Sequence, residues 1–256
     1  MGFVWLGGIP YIWQEKFSIR TGQSAEKTKT MAKQTKSKKA SSLKEAWATY
    51  YRGDLEKALE LFDLLLQDEQ NDSAQYGRAC ALFRTGAHEE AIAQLTALIK
   101  ADEDNPDYYH TRAMVHGASE DYKRALKDLE KLTRLEPGNG EAWCDMGGLY
   151  ILLEDYKQAA LCFERSASKE KPCPCSWLGK GLVALYTREH KKASEYLGIA
   201  LKLDKKNVLA HMARAEAAFA VNNQKEALKD LRQALSMDKD FKARFMEVHE
   251  DAMDSD

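Results

Sequence analysis

Four short stretches of the chain carry residue types that do chemistry. His88-Glu89-Glu90-Ala91-Ile92 opens like a zincin helix, where two histidines four apart hold zinc and a glutamate serves as base. Ile92 stands where the second histidine belongs, so His88 reads as a solvated turn residue. Cys173-Pro174-Cys175 offers two thiols to a soft metal or a redox pair. No third ligand stands near them, and the segment reads as a connecting loop. His110 and His116 are too far out of phase to share a helix face. Asn71-Asp72-Ser73 fits the N-glycosylation pattern, which a cytosolic chain does not use. There is no phosphate loop, no Gly-x-Ser-x-Gly and no Ser/His/Asp set that spacing supports. The residues assign no catalytic group, no metal ligand and no cofactor, and the expectation is a protein that is not an enzyme.

The bulk numbers agree with a globular protein. The chain has 256 residues, 44% hydrophobic and 30% charged, with a formal charge of −2. No whole-molecule field points to nucleic acid. No apolar run is long enough for a membrane span. Five cysteines in no pairing framework suit a reducing compartment, so a cytoplasmic location is expected.

The charge is uneven. Within residues 1–43, eight lysines and arginines face only Glu15 and Glu26, giving +6 and leaving −8 for the rest. Residues 1–42 are therefore read as a basic, disordered leader. Its segment from Thr21 to Ser42 has no aromatic side chains for base stacking, so it reads as a solubilising arm and not a nucleic-acid contact. The opening "MGFVWLGGIPYIW" lacks a preceding base and a convincing cleavage site, which argues against a signal peptide. Leu6 stands where myristoylation prefers Ser or Thr. Met31 heads "MAKQTKSKK", a second plausible start, so residues 1–30 are either an extension that is not native or a tethered apolar peptide able to fill a groove on its own protein.

The elements behind these residues are set by a period. Ala58, Ala91, Ala125, Ala159, Ala193 and Ala227 recur at intervals of 33 and then 34 residues, each in one phrase such as "YKRALKDL" or "QKEALKDL". Four residues after each comes Phe62, Leu95, Leu129, Phe163, Leu197 or Leu231; five before each comes a turn candidate, Gly53, Gly86, Glu120, Glu154, Arg188 or Asn222. Upstream lies a second helical pattern with small residues at one place, Ala79, Ala113, Gly147, Gly181 and Ala215. The period predicts six helix–turn–helix units over residues 43–238, and Phe241, Phe245 and Val248 predict a short capping helix in residues 239–256.

This pattern resembles the tetratricopeptide repeat family over about residues 40–240. Lys180 departs from it, standing where a leucine is typical. The resemblance implies an all-α, right-handed α-solenoid whose first helices line a concave groove. Mapped onto this sequence, the inward row is Tyr76, Cys80 and Phe83, then His110, Met114 and Gly117, then Cys144, Gly148 and Ile151. It continues with Leu178, Leu182, Leu185 and Tyr186, then Met212, Glu216 and Phe219. The row is mostly apolar, with a hollow expected at Gly117 and Gly148. It implies a scaffold or adaptor that takes an apolar segment or amphipathic helix of a polypeptide partner. Two other readings stay open: a chaperone of the kind that serves type III secretion translocators, and a self-assembling, homo-oligomeric scaffold. The clamp by which some members hold a C-terminal carboxylate is missing. The places of its Lys, Asn and Arg hold Tyr76, Cys80, Thr111, Glu141 and Asp145, or in the next window His110, Met114, Asp145, Cys175 and Gly179. On this mapping Leu182→Asp abolishes partner capture and leaves thermal melting nearly unchanged.

Overall fold

In a computed structural model of the chain, the described residues are 32–67, 71–167 and 174–237, with side chains from residue 42 onward. The region expected to cap the chain, 239–256, and residues 1–31 lie outside them. The described residues form twelve helices: α1 (Ala32–Tyr51), α2 (Leu55–Leu66), α3 (Asp72–Arg84), α4 (His88–Ala101), α5 (Pro106–Ala118), α6 (Tyr122–Leu135), α7 (Gly140–Leu152), α8 (Tyr156–Ala167), α9 (Pro174–Tyr186), α10 (His190–Leu203), α11 (Val208–Ala220) and α12 (Gln224–Met237). They pair in sequence, α1 with α2 through α11 with α12. Helix α1 starts inside the segment expected to be disordered; its Ala, Lys and Gln are good helix formers and extend the first turn of the repeat array backward.

The chain divides into two compact units, residues 1–137 and 138–256, each holding three helix pairs. Within each unit the second helix of a pair also packs on the first helix of the next pair, and successive first helices touch. This neighbour-to-neighbour packing is that of a helical-repeat solenoid.

The alanine period is a packing period. Ala58, Ala91, Ala125, Ala159, Ala193 and Ala227 are all fully buried. Phe62, Leu95, Leu129, Phe163 and Leu197 are buried as well, whereas Leu231 on the last described helix is only partly covered. These large side chains lie directly on the small residues. A methyl placed on Gly147 would come within 2.7 Å of the Phe163 ring, and one on Gly179 closer still; a methyl on Gly181 would meet Leu197 at 2.5 Å. Phe163 is thus held between the first helix of its own pair and that of the next.

All six turn candidates have a left-handed backbone: Gly53 (φ 88°), Gly86 (φ 85°), Glu120 (φ 59°), Glu154 (φ 58°), Arg188 (φ 62°) and Asn222 (φ 59°). Each closes its helix with a paired set of hydrogen bonds. Glu120 N–H donates to Gly117 O (3.1 Å) and Asp121 N–H to His116 O (2.9 Å), and the same pair recurs at Arg188 and Glu189 on Leu185 O and Ala184 O. This is the Schellman closure. The residue after it starts the next helix, as when Asp121 Oδ1 accepts from Arg124 N–H at 3.1 Å.

A second period governs the starts of the first helices. Asn71, Asn105, Asn139 and Asn207 each accept a backbone N–H of the following turn through Oδ1. Asn71, the residue that fits a glycosylation pattern, is thus a helix cap whose Oδ1 lies 3.1 Å from Ala74 N.

Two outcomes follow for chemical denaturation. Arg188→Gly relieves left-handed strain at a non-glycine residue and raises stability by up to about 1 kcal/mol, while Gly86→Ala lowers it by about 1–2 kcal/mol. Gly179→Ala overpacks the Phe163 ring and costs about 1–3 kcal/mol, and adding Phe163→Leu recovers part of that loss.

Candidate functional site

The inward row separates into a buried part and an exposed part. Met114 (5% exposed), Cys144, Gly148, Leu178, Leu182 (6%) and Leu185 are buried, not open to a groove. The apolar row is largely the seam where neighbouring first helices meet, as α7 meets α9 and α9 meets α11. This corrects the expectation for Leu182, whose replacement by aspartate now predicts unfolding. Cys144 is also committed to a buried polar cluster. Its Sγ lies 3.5 Å from Ser176 Oγ, which lies 2.7 Å from Ser166 Oγ, which in turn lies 2.5 Å from Gly140 O.

In the first unit Tyr76 and Phe83 are half-buried. The Tyr76 ring sits 5.3 Å from Tyr108 and 6.1 Å from Trp47, and its hydroxyl is 2.8 Å from Thr111 Oγ1. Burial pushes the neighbouring Cys80 thiol up to about 12 against opposing hydrogen bonds from Tyr76 and Thr111. Such a thiol is a packing group and not a nucleophile.

The exposed part lies at the C-terminal ends of first helices in the second unit. Tyr186 ends α9 and is 40% exposed; Phe219, near the end of α11, is 42% exposed. Tyr186 stacks on Tyr156 of α8 with ring centres 5.4 Å apart and planes 16° apart. Leu153 and Val221, which cap α7 and α11, are exposed on the same end of the unit. Met212 is half-buried further along α11. Burial raises the Tyr186 phenol above its ordinary value, with the nearby Tyr156 and Glu216 adding to the rise. Glu216, also on α11, reaches solvent, yet the protein around it raises its carboxyl while His190 opposes the rise.

The sequence reading missed a row of cations set into the helix seams. Arg78, Arg112, Lys180 and Arg214 recur at multiples of 34 residues, with Met146 in the intervening place. Arg112 on α5 donates from Nε and Nη2 to Asp128 on α6 (2.7 and 2.6 Å) and from Nη1 to Thr96 on α4 (3.0 Å). Arg214 on α11 grips Asp230 on α12 in the same two-pronged way (2.6 and 2.7 Å). Asp230 also meets His211 Nδ1 at 2.8 Å, and His211 Nε2 lies 3.2 Å from Lys205 O. Arg78 reaches back to Asp63, and Lys180 to Glu164, each at 2.5 Å. Lys180, a departure from the family pattern in sequence, is explained by this: its Nζ also lies 4.9 and 5.0 Å from the ring centres of Trp177 and Tyr196. Its 34-residue recurrence was the signal that could have revealed the row.

The other chemical candidates are structural. His88 is not a turn residue but the first residue of α4, and its Nδ1 lies 3.0 Å from Ser119 Oγ. His116 is buried, and burial lowers its imidazole below the ordinary value although Asp128 opposes this. Cys175 is not in a loop: it is the second residue of α9 and is disulfide-bonded, while Cys80, Cys144 and Cys162 are buried free thiols. Among the described residues no three His, Cys, Asp or Glu side chains come together to hold a metal, and no helix is long and apolar enough to cross a membrane.

Three stacked helix pairs in each unit, on a 34-residue period with capped turns and small-on-large seams, define a helical-repeat solenoid. The family model for the tetratricopeptide repeat matches residues 43–106, 110–172 and 178–240, and the chain belongs to that family. No curated protein matches the sequence. Among solved structures, a tetratricopeptide repeat protein from Parabacteroides merdae is similar with a TM-score of 0.65 at 18% identity, covering 78% of this chain and 79% of its own. The Cut9–Hcn1 structure from the APC/C gives 0.67 at 18% identity, over 78% of this chain and 40% of that one. MamA from Desulfovibrio magneticus gives 0.58 at 18%, over 66% and 96%. At these identities the likeness is one of fold.

The buried Asp230 yields a pH dependence. Burial alone would raise its carboxyl, but hydrogen bonds from Arg214 and His211 outweigh that and hold it below the ordinary carboxylate range. A depressed folded-state value adds stability above the unfolded value of about 4, and this stability is lost as pH falls through the folded value. Thermal melts from pH 7 to pH 2 are expected to show a steeper acid loss in the wild type than in Asp230→Asn. Asp230→Ala at pH 7 leaves Arg214 without its main partner and costs about 3–5 kcal/mol.

Proposed function

We propose that the protein is a non-catalytic scaffold that binds an apolar segment or amphipathic helix of a polypeptide partner. The binding face is the exposed end of the first-helix row in the second unit, built around Tyr186 and Phe219. The observation that carries this reading is the contrast along the row: its middle is sealed in helix seams, while two large aromatic side chains at its end keep 40% and 42% of their surface in water. Tyrosine and phenylalanine at such places offer rigid apolar area that gains most when a partner covers it. Membership of the tetratricopeptide repeat family supports a protein-binding role in general. Tyr76 and Phe83, half-buried in the first unit, are secondary contacts in this reading.

The test is site-specific photo-crosslinking in the native cell. A photoreactive phenylalanine analogue at position 186 or 219 is expected to trap a polypeptide, whereas the same analogue at the exposed Leu161 on α8 is not. Tyr186→Ala with Phe219→Ala weakens binding of the trapped partner about tenfold or more while the melting curve changes little. Equal trapping at Leu161, or undiminished binding by the double variant, refutes the assignment of this face.

A further inference from the structure

We infer that the exposed aromatic end of the second unit selects a basic side chain, lysine or arginine, set between apolar residues of the bound segment. This rests on the polypeptide-binding reading above and names the chemistry of its occupant. Three features converge. Tyr156 and Tyr186 are stacked at 5.4 Å, presenting ring faces at the end of α9. Phe219 stands three residues after Glu216 on α11, so the two share a helix face, and α11 packs directly on α9. Glu216 is exposed and close enough for its charge to act on the Tyr186 phenol.

Exposed bases flank the two tyrosines, Lys157 after Tyr156 and Arg188 two residues beyond Tyr186, so the cation is drawn by Glu216 itself. Arg214, the base on the same helix, is consumed by Asp230 at 2.6 Å and by Glu226 at 3.6 Å, so it does not neutralise Glu216. His190 is the basic group that acts on Glu216, and its Nδ1 is buried. Crowding raises the Glu216 carboxyl, which means that its charged form is under-solvated and gains from a cation brought to it. A carboxylate beside aromatic faces is the arrangement that attracts ammonium and guanidinium groups. A purely apolar segment brings no new charge to that carboxylate, and an acidic one brings the wrong charge.

The test is selection of a random twelve-residue phage-displayed peptide library on the full chain, followed by affinity measurement with the selected peptides. The expected result is enrichment of Lys or Arg flanked by apolar residues. Affinity falls about tenfold on Glu216→Gln and on Phe219→Ala, and Glu216→Lys shifts selection to acidic peptides. Glu216→Gln is nearly isosteric and exposed, and its melting curve is the folding control. Enrichment of apolar or acidic peptides on the wild type overturns the inference but leaves the binding face standing. Basic peptides whose affinity ignores Glu216→Gln or Phe219→Ala also overturn it. Sedimentation showing a wild-type dimer that Glu216→Lys dissociates overturns it in favour of a second copy as occupant. Failure to enrich any peptide refutes both this inference and the binding face.

Discussion

The structure depends on one contact repeated along each unit: a large apolar side chain from a second helix pressed onto small residues of the first helices on either side. Phe163 between Gly147 and Gly179 is the tightest case, with no room for a methyl on either glycine. The contact joins a helix to its own partner and to the next pair at once. No pair can bury this face alone, so stability is shared between neighbours and is lost cooperatively when one seam is opened. The left-handed turn residues serve the same contact. They fix the angle at which the second helix returns, and the price of left-handed strain at Glu120, Glu154 and Arg188 is met by the seams those turns bring together.

The cation row shows how charge is tolerated within such seams. Arg112 and Arg214 are held by two-pronged carboxylate contacts, so a partly buried guanidinium meets a buried carboxylate in each. These pairs add little to net stability compared with apolar packing, but removing one partner is costly, and they fix which side chain sits against which. The consequence for function is indirect. Because Arg214 is engaged internally, it does not neutralise Glu216, which shares a helix face with the exposed Phe219.

The buried apolar row has a further lesson. A helix with two apolar stripes suggests an open binding wall when one stripe suffices for the pair. In a stacked repeat each first helix has two kinds of neighbour, its own second helix and the first helices beside it, and both must be covered. The apolar surplus of α9 between Leu178 and Tyr186 is mostly consumed by that second seam: Leu178, Leu182 and Leu185 are sealed while Tyr186, one position beyond, is not. Along this row, solvent exposure begins where the seam ends.

The sequence by itself determined the repeat. Six alanines 33 and then 34 residues apart, the large residue four beyond each and the turn residue five before each fix helix, turn and helix, because burial and left-handed closure act locally and leave a periodic trace. The asparagine caps and the seam cations were equally legible at 34-residue spacing, but a search led by apolar residues passes over them. Only the tertiary structure decided which members of the apolar row meet water. Leu182 and Tyr186 both belong to the inward row, and their fates differ by the position of a neighbouring helix, a distance that no one-dimensional pattern encodes.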